Sequence, residues 1–168
     1  MLNTKLISSA LIVLLVLMYL TGWWVSREPD MLVAEIKQSR QQLGEAAIVG
    51  YSTTTALIRV SETLLDKNGG YLANDIMPPF VLLDNMPAWE LGVLEMSRDL
   101  ALALRKDLSR SQSQSTENQF LKVAQPMFNI DHRSWAIPAA ESEYRKAIAQ
   151  LYLYRAELMD SAKPDSQF

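Results

Sequence analysis

The feature that most constrains this chain is a run without a single charge between Lys5 and Arg27. Residues 7–25 read ISSALIVLLVLMYLTGWWV. As a helix rising about 1.5 Å per residue they span about 30 Å, one hydrocarbon core. A lone segment in lipid has no water to satisfy its amides, so it must close its hydrogen bonds as a helix. Trp23 and Trp24 end the run, where indole rings favour the headgroup region, and Arg27, Glu28 and Asp30 follow. These two tryptophans are the expected membrane-interface residues, and membrane lipids are the first expected partner.

Two rival readings compete with an uncleaved anchor. A cleaved signal has an apolar stretch of about 7–15 residues ending at a small-x-small site. This run is longer and ends in TGWW. The other rival is a buried core helix. The anchor reading divides the chain into residues 1–28, a tail and transmembrane helix, and residues 29–168, a helical body. Counting Lys5 and the α-amine against Arg27, Lys37 and Arg40 slightly favours a cytoplasmic body, a margin too small to decide the orientation.

Composition excludes several functions. With 168 residues the chain is too short for paired cofactor domains. With Cys 0 it has no thiolate nucleophile, disulfide or cysteine metal site. A net charge of -3 gives no basic surface for nucleic acid. No cofactor is expected.

The body reads as all-α, with three to four helices and a Pro-rich ordered loop. Residues 29–49, rich in Glu, Gln, Lys and Ala, predict a helix leaving the membrane, with Gly50 as its stop. Ser52 is the expected cap of a second helix, with Leu57, Ile58, Val60, Leu64 and Leu65 on one face and Asn68-Gly69-Gly70 at its end. Pro78, Pro79 and Pro87 then rule out a long helix over residues 71–87. A strong helix follows over residues 87–108, capped by Asp84 or Asn85. Its stripe is Trp89, Val93, Met96, Leu100 and Leu104, broadened by Leu94 and Ala101. Residues 105–119 read as a polar connection. The last helix opens at Pro138, with Ala140, Tyr144, Ala147, Ile148, Leu151, Tyr154 and Leu158 inward and Glu141 paired to Arg145.

No chemistry-bearing constellation converges. Glu95 and Asp99 share a helix edge, which reads as a solvated face with Arg98 beside it. Asp131 precedes the one histidine, His132, but no serine or cysteine nucleophile completes a triad. The catalytic and metal sets are therefore empty. The candidate partner-binding residues are Met77, Phe80, Leu82, Trp89, Trp135 and Tyr144, large apolar or aromatic groups in or near the Pro-rich segment and the last helices. Core packing is the competing use for the apolar residues of 76–83, and packing anchors for Trp135 and Phe128.

The stretches GYSTTTALIRVSETLLDKNGGYLANDIMPP, LDNMPAWELGVLEMSRDLALALRKDLSRSQSQSTEN and the later ESEYR resemble the proteobacterial envelope family known as domain of unknown function 2333. The resemblance implies a single N-terminal anchor in the inner membrane and a mainly helical periplasmic body. It implies no activity, cofactor or catalytic set. It also implies a further helical stretch beyond the point corresponding to Phe168, so the stripes of the last two helices are expected to need cover from another chain.

The function expected is therefore that of a membrane-anchored interaction or structural protein, an accessory subunit of an envelope complex with a membrane or periplasmic protein partner, and not an enzyme. Two alternatives stay open. One is a periplasmic ligand- or lipid-binding module, its pocket lined by residues 76–83. The other is a hydrolase using Asp75, Asp84, Glu90, Glu95 or Asp131 with His132.

Overall fold

The apolar run folds as one helix, α1 (Thr4–Val25), in the computed structural model, which describes residues 3–29, 41, 49–108 and 117–160. Asn3 caps it, its side chain accepting from Lys5 N at 3.3 Å. Ser8, Ser9 and Thr21 return their hydroxyl protons to carbonyls three or four residues back, so the hydroxyls of an otherwise apolar helix are satisfied internally. Most of α1 is bare, and only Gly22 and Val25, near its end, are buried. This helix is long and apolar enough to cross a membrane.

Among the described residues four helices make the body: α2 (Tyr51–Asp66), α3 (Asn85–Ala103), α4 (Gln119–Phe128) and α5 (Ala140–Leu158). Helix α2 packs on α3 and α5, and α4 packs on α3 and α5, closing a ring around one core. The described residues contain no strand. The α2–α3 and α4–α5 connections lie at the same end, tied by Tyr71 donating to His132 O at 3.1 Å and Asn74 Nδ2 to Ser134 O at 3.0 Å. The helix expected over residues 29–49 and the centre of the polar connection, residues 109–116, lie outside the described residues.

The stripe of α5 is buried as its spacing predicts, from Ala140 through Tyr144 to Leu158. In α2, Leu57, Ile58, Leu64 and Leu65 are buried, joined by Thr54, Thr55 and Ser61, while Val60 stays partly exposed. Ser52 does not cap α2. The N-cap is Gly50 at φ 87, so backbone freedom there does what a side chain was expected to do.

Helix α3 is rotated from its expected face. Met86, Glu90, Leu94, Ser97 and Ala101 point inward, and Met96 is 75% exposed. Two polar residues on the buried stripe disguised it: Glu90 is neutralised by a cation, and Ser97 donates to Val93 O at 2.8 Å. The helix starts at Asn85 after Asp84, whose side chain makes no cap bond, and its end changes to a π turn over Leu104–Leu108.

Helix α4 has no counterpart in the sequence reading. Asn118 caps it, accepting from Phe120 N at 2.9 Å. Across the core, Arg98 reaches from α3 to the carbonyls at the far end of α4, with Nε to Phe128 O at 2.7 Å and Nη2 to Ile130 O at 2.8 Å. A cation there satisfies carbonyls that have no helical partner and opposes the negative end of the dipole. Arg145 pairs with Asp66 on α2 at 2.7 Å, leaving Glu141 to accept from Asn74 at 2.9 Å. Glu143 pairs with Lys146 at 2.6 Å.

Candidate functional site

The end of α2 supplies a lysine that cannot reach water. Lys67, the C-cap residue of α2, turns its ammonium inward onto Leu64 O, Gly70 O and the Glu90 carboxylate, using its three donors. Glu90 also accepts from Leu72 N at 2.8 Å and Ala73 N at 2.7 Å. Burial pushes its carboxyl above the usual range, against the lowering pull of Lys67 and the two amides. The pair thus folds residues 67–73 into a fixed loop on top of α3.

That loop receives α1. Val25 is 1% exposed and clusters with Leu72 and Met86, with Phe80, Leu83 and Trp89 packed around them. Gly69, at φ 85, lets Val25 approach: a Cβ there would lie 2.7 Å from Val25 Cγ1. One turn back on α1, a Cβ on Gly22 would lie 3.7 Å from Leu83 Cδ2 and 4.0 Å from Pro79 Cβ. Trp23 remains open to solvent, with the Arg27 guanidinium 4.1 Å over its ring, and Trp24 is open as well.

The expected partner-binding residues separate into three groups. Met77, Leu82 and Trp135 stand exposed at 67%, 73% and 66%. Phe80 and Trp89 are half-buried, Phe80 against the α1 seat and Trp89 between that seat and the main core. Tyr144 is fully buried and cannot face a partner; its ring sits 5.8 Å from that of Tyr71, and its hydroxyl donates to Ile130 O at 2.9 Å. Burial raises both phenols. Trp135 is no packing anchor, whereas Phe128 is. The core-packing expectation for residues 76–83 holds for Phe80 and Leu83 alone, because Ile76, Met77, Val81 and Leu82 are exposed.

The carboxylates do not assemble. Glu90 is saturated by its ion pair and amides. Glu95 pairs with Arg98, and Asp84 stands exposed. Asp131 accepts from Arg133 N at 3.0 Å and lies 3.5 Å from His132 Nδ1, on an exposed loop. Asp75 is raised by burial and by neighbouring Glu141. No group of three or more metal-ligating side chains occurs among the described residues.

Sequence reasoning missed the joining of α1 to the body by Lys67, Glu90, Gly69 and Val25, having read Glu90 as a candidate hydrolase carboxylate and Gly69 as a helix end. One signal was present: Glu90 lies four residues from Met86 and four from Leu94, a carboxylate in the middle of an apolar stripe. No curated protein and no solved structure matches the chain. Residues 2–168 match the family described as "Uncharacterized protein conserved in bacteria (DUF2333)", and the chain belongs to that family.

Proposed function

We propose that this is a single-pass inner-membrane protein whose periplasmic helical body serves as a structural or interaction subunit of an envelope complex. The observation that carries this reading is the burial of Val25 in the body's own packing. A signal segment is removed from the mature protein. Removing α1 here would uncover Leu72 and Met86 and empty the space that Gly69 leaves for Val25. An anchor seated in this way also fixes the orientation of the body, which suits a protein that presents a surface at the membrane. The buried polar groups at the seat are spent on one another, so their role in this reading is architectural.

The test is extraction of native membranes with gentle detergent, followed by mass spectrometry and particle sizing of the chain at its natural abundance. The expected result is a full-length chain, with α1 attached, held in fixed stoichiometry with a second membrane or periplasmic protein. A chain cleaved after α1 and released by osmotic shock would refute the anchor. A lone, full-length monomer would refute the subunit role.

A further inference from the structure

Four apolar side chains of the Pro-rich segment, Ile76, Met77, Val81 and Leu82, are 64%, 67%, 52% and 73% exposed. A second apolar tip lies on the neighbouring loop, where Trp135 is 66% and Ile137 100% exposed. The loops are joined to each other by Tyr71 to His132 O and Asn74 to Ser134 O. They therefore occupy one end of the body, the end onto which α1 is seated.

Contact with α1 sets the depth of the first loop, and the second is tied beside it. Pro79 and Leu83 bracket the short 3-10 turn Phe80–Leu82 and pack beside Gly22, one turn inside the end of α1 and immediately before Trp23 and Trp24. A segment held against Gly22 lies level with those interfacial indoles, in the zone between headgroups and acyl chains. Large exposed apolar groups mark a protein-binding or membrane-binding surface. Here the first loop continues directly from the bare flank of α1, so what bathes that flank also covers it.

Resting on the reading of α1 as a membrane span, we infer that residues 76–83 and 135–137 form a second membrane contact: two apolar loops embedded in the outer part of the same leaflet in which α1 ends. The ligand is the lipid surface itself, at its apolar boundary. Asp75 and Asp84 flank the first loop, and Asp131 and Arg133 ahead of the second offset each other, so attraction to anionic headgroups is not the driving force and the contact forms equally on uncharged lipid. The body thereby gains a fixed tilt on the membrane, with α1 and the loops as separate points of support.

The full-length chain carries no native cysteine, so single-cysteine variants M77C, L82C and I137C report on these positions once labelled with an environment-sensitive fluorophore. M96C, on α3 roughly 16 Å along the axis from its start, is the water-exposed control, and V13C the mid-membrane control. Each variant is reconstituted into phosphatidylcholine vesicles and challenged with nitroxide lipid and with aqueous iodide. Labels at 77, 82 and 137 are expected to be quenched several-fold more by nitroxide lipid, as at 13, with the reverse at 96 and no change in high salt. Labels at 77, 82 or 137 behaving like 96, while 13 stays in lipid, would overturn the second contact alone. A label at 13 open to iodide would overturn the membrane span beneath it. Protection from both quenchers at 77, 82 or 137 would mean contact between copies of the chain and would also overturn the proposal.

Discussion

Lys67 and Glu90 meet as an ion pair sealed inside the protein, their side chains 2% and 0% exposed. The pair joins the C-cap residue of α2 to the second turn of α3, and the same carboxylate holds the amides of Leu72 and Ala73. It thereby shapes the loop on which α1 rests. A buried pair of this kind stabilises little against an apolar substitute, yet removal of one partner strands the other charge.

Lys67→Met is accordingly expected to cost about 3–5 kcal/mol in denaturant unfolding of the full chain. The sign with pH follows from linkage. Without the ammonium, burial raises the Glu90 carboxyl further, and a folded-state pKa above the unfolded one makes the folded form take up the proton first. The penalty should therefore shrink as the pH falls into the ordinary carboxylate range. Adding Glu90→Gln, which removes the charge and keeps an acceptor for Leu72 N or Ala73 N, should recover much of the loss at neutral pH. Wild-type stability in the single variant would show that the pair is not sealed.

Gly69 and Gly70 have similar backbones, at φ 85 and φ 74, but different neighbours. Gly70→Ala should cost about 1–2 kcal/mol, the left-handed strain alone, since its nearest contact would be Leu65 O at 3.8 Å. Gly69→Ala adds a collision with Val25 and should cost roughly 1–3 kcal/mol more. Val25→Ala removes the colliding methyl groups, so the pair should couple in a double-mutant cycle. Thermal or denaturant unfolding in detergent measures all four chains. Equal costs at the two glycines would mean that α1 is not seated there.

Glu117 gives a pH signature at the other end of the bundle. It accepts from Lys106 Nζ at 2.7 Å and Arg105 Nε at 2.9 Å, and these cations hold its carboxyl down to about 2, against an ordinary 4.5. A depressed folded-state pKa contributes stability above the unfolded value and loses it as the pH falls through the folded one. Glu117→Gln should therefore be less stable than wild type at neutral pH, with the difference fading between pH 4.5 and about 2. High salt should diminish the effect, because the cluster is not buried away from solvent. A difference independent of pH would assign Glu117 no ionic role.

Local pattern alone was enough to read the long apolar N-terminal helix, the helical class and the inward face of α5. In each case a strong local pattern coincides with the solvent the segment meets. An uncharged stretch of this length has few uses, and the seven-member stripe of α5 contains no polar intruder. Residues whose surroundings contradict their own chemistry were not legible in the same way. Glu90 reads only as one of several candidate hydrolase carboxylates until Lys67, twenty-three residues earlier, is brought against it. Helix α4 is short and contains Pro126, so its local propensity is weak, and it is fixed by Asn118 at one end and Arg98 at the other. The exposed loop residues share one end of the body because four helices alternate in direction around the ring, and Gly69 became a seat once Val25 packed on it. Those placements arise from contacts between segments distant in sequence, whose energies no local pattern encodes, and they were decided by the tertiary structure alone.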